Sequence, residues 1–130
     1  LKDFKTAAIK RHRQHVANIH RNYGREIGLV SRRGTVKLRY APNDGLLATV
    51  LLANAPGRVE LHQFLNRLFE RYGFIFGDRE AERALGGDEF DKKAFQDNGR
   101  RLQERLTSLG FLRRLSDGCA YVENPYKQLA

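Results

Sequence analysis

A chain of 130 residues is long enough for one compact domain with an appended element, and its single cysteine excludes both a disulfide framework and a zinc site built on paired thiolates. No apolar run approaches the roughly 20 residues that cross a bilayer, and no cleavable leader is present. We therefore expect a soluble, cytoplasmic protein with no membrane partner. The chain contains no Met, even at position 1, which predicts a fragment of a larger protein.

Positive charge is concentrated in the first third of the sequence. Residues 1–40 contain 11 Lys and Arg against two acidic residues, whereas residues 41–130 contain 13 basic and 13 acidic residues. A surface of this kind binds nucleic acid because its cations displace the counterions condensed on the phosphates. We therefore expect a basic arm, residues 1–40, to contact phosphate, followed by an electrically neutral body, residues 41–130.

The arm begins with a helical pattern. Over residues 2–22 apolar side chains recur near helical spacing among the cations, and Gly24 is the expected end of the helix. The residues that we expect to contact phosphate in the arm are Lys10, Arg11, Arg13, Arg21, Arg32, Arg33 and Lys37.

An alternating pattern follows the first helix. Residues 27–30 and 35–40 have the spacing of two strands around residues 31–34, which predicts a hairpin with arginines at its tip. The break after this hairpin contains Asn43 and Asp44, and either side chain can cap the helix that begins the body.

The body starts with helices. Leu46–Asn54 is almost wholly apolar, which predicts a buried helix, and Val59–Tyr72 has the single apolar stripe of an amphipathic helix. Phe74–Phe76 has the pattern of a short strand. Asp78 is then expected to cap a brief helix that ends at Leu85.

The last third of the chain has the clearest local signals. A polar-faced helix is predicted over Asp91–Leu109 and ends at Gly110, because glycine enters the left-handed cap conformation at little cost. Two strands follow, Phe111–Leu115 and Cys119–Glu123. The Asp-Gly pair between them favours a tight hairpin turn.

This order of elements resembles that of winged-helix DNA-binding domains over about residues 46–124. The resemblance implies an α+β fold, mainly α with small β-hairpins, in which Phe74–Phe76 joins the terminal hairpin as a third strand. It also implies that the last two helices form a helix-turn-helix. The connection Leu85–Asp91 is longer than a tight helix-turn-helix, which leaves the identity of the recognition helix open.

In a winged-helix domain the exposed face of the last helix would contact base edges in the major groove, where Arg recognises guanine and Gln recognises adenine. Arg113 and Arg114 are neighbours in a predicted strand and therefore point to opposite sides of it. The expected core stripe of the helix is Phe95, Leu102, Leu106 and Leu109. The expected nucleic-acid contacts in the body are Lys92, Lys93, Gln96, Arg100, Arg101, Arg113 and Arg114.

Catalytic motifs lack their structural context. Gly86–Phe90 contains the five letters that name the diguanylate cyclase family, but a helical pattern precedes it and no strand pattern follows it. We interpret its glycines as a turn and Asp88 as a helix cap. The histidines of the first helix have no acidic pair nearby, so no metal site is expected. The sequence predicts a protein that is not an enzyme and has no cofactor.

The sequence thus favours a DNA-binding regulator, nucleoid-associated if bacterial, whose arm lies on the phosphates of double-stranded DNA while the last helix and hairpin enter the grooves. The alternative is a winged-helix docking module of a larger complex, which binds other proteins through Leu46–Asn54 or the terminal hairpin. A homodimer is also a possible assembly. RNA also stays open as a partner, because the same cations bind its phosphates.

Overall fold

The computed structural model describes residues 2–33, 37–86 and 89–126. Within this part the chain is mainly helical with two small antiparallel sheets, which is the predicted α+β class. The chain forms two compact units, Leu1–Thr49 and Val50–Ala130. The boundary between them falls after Thr49, inside a helix, and the predicted division after residue 40 stays a prediction.

The first unit begins with a 25-residue helix, α1 (Lys2–Glu26). The predicted end at Gly24 is wrong, because the helix continues through that residue and the left-handed glycine that follows it is Gly28, at φ 79°. Gly24 is also the one buried residue of α1. All its other residues are exposed.

A hairpin completes this unit. Its strands, β1 (Val30–Arg33) and β2 (Lys37–Tyr40), pair antiparallel along their whole length. The prediction that residues 31–33 form the tip is therefore wrong, and so is the prediction of a strand over residues 27–29, because the ladder begins at Val30 and continues to the end of β1. The remaining residues of the predicted tip and second strand, 34–36, lie outside the described residues.

The hairpin packs on α1 at Gly24, where a Cβ atom would lie 2.6 Å from Cγ2 of Val30. Ala is the better helix former by about 1 kcal/mol, yet we expect Gly24→Ala to destabilise this unit by about 1–3 kcal/mol, since the added methyl has no room. Hydrogen exchange of the β1 and β2 amides measures the effect. In a Val30→Ala background the same change should be neutral or stabilising. Higher protection in Gly24→Ala alone would contradict this packing.

The body helix predicted over residues 46–54 is present as α2 (Asp44–Asn54). Asn43 caps it, because its Oδ1 accepts a hydrogen bond from the Leu46 amide at 2.8 Å. Leu51 is fully buried, whereas Leu52 is exposed. The prediction of a buried helix is thus correct for one face of α2 only.

The third strand of the body sheet is not Phe74–Phe76, which forms no strand. It is β3 (Arg58–Glu60), and the amphipathic helix α3 (Leu61–Tyr72) starts only after it. The Glu60 carboxylate accepts a hydrogen bond from the Gln63 amide at 3.0 Å, which sets the start of the helix. The predicted helix start at Val59 is therefore wrong.

Two helices follow, α4 (Asp78–Leu85) and α5 (Lys92–Ser108). Gly77, not Asp78, occupies the cap position of α4. Asp91 caps α5, accepting from the Ala94 amide at 3.0 Å, so the predicted long helix is confirmed to within one residue at each end. The predicted turn residue Gly87 and the predicted cap Asp88 lie outside the described residues.

The terminal hairpin consists of β4 (Leu112–Ser116) and β5 (Cys119–Glu123). Ser116 pairs with Cys119, which confirms the predicted Asp-Gly turn, although β4 starts one residue later than predicted. β5 is the central strand of the sheet β3-β5-β4, and all neighbours are antiparallel. Buried apolar side chains of the helices and strands of this unit include Leu51, Val59, Phe64, Leu68, Leu106 and Val122.

Candidate nucleic-acid interface

The basic residues of α1 form an uncompensated positive surface. All seven of its Lys and Arg residues are exposed, and none makes an ion pair within the part of the chain that the structure describes. At about 100° per residue, Lys10, Arg21 and Arg25 lie within about 60° of one another around the helix axis. We call these three residues the cationic face. Arg11 and Arg13 lie beside it, one at each edge.

The dimensions of α1 suit a duplex. A helix of 25 residues is about 37 Å long, which is close to one turn of B-form DNA at about 34 Å. A cation without a carboxylate partner can bind a phosphate without first breaking an ion pair. It therefore contributes its full counterion-release term to the free energy of DNA binding. The helix can therefore supply several phosphate contacts along one side of DNA.

The first hairpin adds positive charge to the same unit. Arg32 is exposed, while for Arg33 and Lys37 the structure describes the backbone only. A hydrogen bond of 2.9 Å between the Tyr40 hydroxyl and Nδ1 of His20 joins this hairpin to α1. The hairpin is thus held on the basic helix by polar contact as well as by the packing at Gly24.

α5 has two polar faces of different charge. Helical spacing puts Asp97, Glu104 and Arg101 on one of them. The other contains no acidic residue, and we call it the Gln-Arg face. Its members are Lys92, Gln96, Arg100 and Gln103. Arg101, predicted together with Arg100, thus belongs to the mixed face, and Lys93 is exposed between the two faces.

Neighbouring elements hold the side chains of the Gln-Arg face. Nε2 of Gln96 donates to Oδ2 of Asp78 on α4 at 3.1 Å, and Oε1 of Gln103 accepts from Nη2 of Arg114 on β4 at 2.7 Å. Arg100 pairs with Asp97 on α5 itself at 2.9 Å. These bonds orient the face before any ligand arrives, and Arg100 retains further donors because a guanidinium has five N–H groups.

A cleft of about 180 Å³ lies between α3, α4 and α5, and three members of the Gln-Arg face, Gln96, Arg100 and Gln103, line one side of it. Asp78 and Glu80 line another side. Glu80 is buried, and within the described residues its Oε2 has no hydrogen-bond partner. Two carboxylates make this end of the face unfavourable for phosphate and favourable for a donor group, such as the amino group of a base.

The two arginines of β4 lie on opposite faces of the sheet. Arg114 is opposite Ala120 and reaches Gln103, whereas Arg113 is opposite Tyr121 on the outer face. Of the predicted body contacts, the structure therefore brings Gln96, Arg100 and Arg114 together. It separates Arg113 from them.

On the outer face of the sheet, Arg58 and Tyr121 were not predicted as a pair. The Arg58 guanidinium lies 4.1 Å from the centre of the Tyr121 ring, and its Nε is 3.5 Å from Glu123. A side-chain hydrogen bond with Cys119 is the main cause that raises the pKa of Tyr121 above its ordinary value. A pattern of short range in the sequence could not reveal this pair, because its members are 63 positions apart.

Among the described residues, no group of three or more His, Cys, Asp or Glu is arranged to hold a metal ion. None of the described helices is both long enough and apolar enough to cross a membrane. The chain matches no protein-family model, no curated protein and no solved structure. Its function is therefore inferred from charge and geometry.

Proposed function

We propose that the protein is a non-catalytic module that binds double-stranded DNA, with a winged-helix order of elements from α2 to the terminal hairpin. The order of α2, β3, α3, α4, α5 and the terminal hairpin supports this arrangement, because in winged-helix domains a short strand after the first helix joins the hairpin. Here that strand is β3, which comes directly after α2. In a bacterial cell the module would act in the cytoplasm as a nucleoid-associated regulator.

The observation that carries the proposal is the exposed and unpaired positive charge of α1. An acidic neighbour would neutralise part of such a charge, and a phosphate would then have to displace it. The seven cations of α1 have no such partners in the described chain. Phosphate contacts of this kind supply affinity and register without sequence preference.

The Gln-Arg face supplies the second part of the proposal. A helix face that presents Gln and Arg fits the major groove, where these side chains recognise adenine and guanine. Arg114 extends this face onto β4 through its hydrogen bond with Gln103. In this proposal α1 provides affinity, and α5 with β4 provides selection among sequences.

A salt series tests the proposal directly. If the cationic face, Arg11 and Arg13 make five phosphate contacts, the logarithm of the association constant should fall with the logarithm of salt concentration with a slope of about −4.5. Fluorescence anisotropy of a labelled DNA duplex and the full chain measures this slope, with an RNA duplex of the same sequence as the comparison. Absence of binding, or a slope near zero, would refute DNA binding through α1, and tighter binding of the RNA would make RNA the partner.

A groove beside α2 supports the alternative proposal, a docking module. It has a volume of about 520 Å³ and lies between the end of α2 and α3. Leu52 lines it with Arg67 and Arg71, and each guanidinium donates to Asn54 at 3.2 Å. A partner protein with an apolar side chain and a carboxylate would fit this groove. Binding of a protein partner without DNA binding, with a salt slope much shallower than about −4.5, would favour this alternative.

A further inference from the structure

α1 carries a second surface, which is apolar. Alternating steps of three and four residues connect the members of this surface. They are Ile9, His12, Val16, Ile19 and Tyr23, and we call them the apolar seam. The four apolar members are 54%, 38%, 40% and 62% exposed, in chain order. A row of large apolar side chains in water is unfavourable and is typical of a surface that another molecule covers.

The packing within the unit leaves the seam open. The hairpin contacts α1 at Gly24 and His20, which lie about 100° and about 60° around the helix axis from the centre of the seam. The cationic face is on the opposite side of the helix, about 160° from the seam centre. One ligand can therefore occupy the cationic face while another occupies the seam.

The shape of the seam identifies a helix as its occupant. Alternation of three and four steps gives the narrow stripe that packs knobs into holes against a second helix. A helix that lies in a membrane surface needs a broader apolar face, and here exposed polar residues border the stripe. From Ile9 to Tyr23 the seam is about 21 Å long, which corresponds to two heptads of a coiled coil.

The charge of α1 identifies the kind of helix. The helix contains seven basic residues but only two acidic ones, Asp3 and Glu26, which lie at its ends. Lys5 continues the seam and Arg13 borders it. A second copy of α1 would bring like charges together, whereas an acidic helix would pair with these cations.

We infer that α1 is a docking helix whose apolar seam binds an acidic amphipathic helix of a partner protein as a short coiled coil. The docking interaction leaves the cationic face open for phosphate, because that face lies on the other side of the helix, while Arg13 borders both surfaces. It gives the module a way to connect with another protein while the cations contact phosphate.

The test uses the full chain and a synthetic heptad peptide with Leu at its a and d positions and Glu at its e and g positions. We expect the peptide to bind to the chain. The double variant Val16→Ser, Ile19→Ser should weaken this binding by about tenfold or more, because it removes two apolar side chains from the seam. Phe4→Ser is the matched control. Phe4 is 77% exposed but lies about 100° from the seam, so its loss should change binding less than twofold.

Four outcomes would overturn the inference. The first is that the acidic peptide does not bind. The second is that a peptide with Lys in place of Glu binds equally well. The third is self-association of the chain, seen by sedimentation and abolished by the seam variant, which would make a second copy the occupant. The fourth is stronger binding to phosphatidylglycerol vesicles than to the peptide, with the same seam dependence. Circular dichroism verifies that each variant keeps its helix content.

Discussion

Replacing Lys10, Arg21 and Arg25 together by Gln is expected to weaken binding to duplex DNA by about a hundredfold at 0.1 M salt. Loss of three phosphate contacts removes three terms of counterion release, so the magnitude of the salt slope should fall by about 2.7. Gln is nearly as good a helix former as Lys and Arg, and all three positions are exposed, so α1 itself should persist. Anisotropy titrations at several salt concentrations measure both quantities.

The control for this variant introduces Gln on the same helix without removing charge. Ala8→Gln does so at an exposed position about 130° around the helix axis from the centre of the cationic face and should leave the affinity and the slope unchanged. Circular dichroism of both variants verifies the helix content. If the triple variant kept the slope of the original chain, the cationic face would not be the phosphate-binding surface, and the positive charge of the arm would need another explanation.

Arg100→Gln is expected to change which DNA sequences the protein prefers, whereas Arg101→Gln is not. A bidentate Arg to guanine contributes about 1–3 kcal/mol of discrimination at one base pair. Arg100 belongs to the Gln-Arg face, but its neighbour Arg101 lies about 100° away on the mixed face. Competitive selection from a library of randomised duplexes, followed by titration of the preferred sites, measures the difference.

The comparison is well matched because both arginines are exposed and adjacent on one helix. The ion pair that Arg100 makes with Asp97 is exposed, so its loss should cost less than about 1 kcal/mol of stability. If the two variants lost affinity equally and kept the same sequence preference, α5 would lie along the phosphates, and the Gln-Arg face would not read bases.

The two predictions separate affinity from selectivity. Changes in the cationic face should weaken binding to all duplexes alike, whereas a change in the Gln-Arg face should act on particular base pairs. The different roles of the two surfaces follow from the ion pairs and hydrogen bonds that their side chains make within the protein. The α1 cations have no ion-pair partners in the described chain, while Gln96 and Gln103 are held by Asp78 and Arg114.

Elements with strong local signals were predictable from the sequence. α5 starts at a capping aspartate, Asp91, and a left-handed glycine, Gly110, follows its end. The Asp-Gly turn of the terminal hairpin was equally clear. In each case the determining interaction joins residues a few positions apart, so the sequence contains the whole signal.

Elements that depend on distant partners were not predictable. β3 has one buried apolar residue, Val59, which pairs with Val122 on β5. Its three residues are too few to show a strand pattern, whereas Phe74–Phe76 is a run of three residues typical of strands and forms none. Gly24 also depends on a distant partner. A glycine near the end of a helix predicts that the helix stops there, but here the small size of Gly24 makes room for the Val30 side chain.

Some properties of the candidate site also follow from the sequence alone, and others depend on the tertiary structure. The sequence by itself determined the charge asymmetry, the seam spacing of α1 and the chemistry of α5, because composition and helical period do not depend on packing. Only the tertiary structure decided that the α1 cations have no ion-pair partners among the described residues and that Asp78 and Arg114 hold the Gln-Arg face. These properties depend on which side chains meet across elements, and such contacts form only when the chain folds.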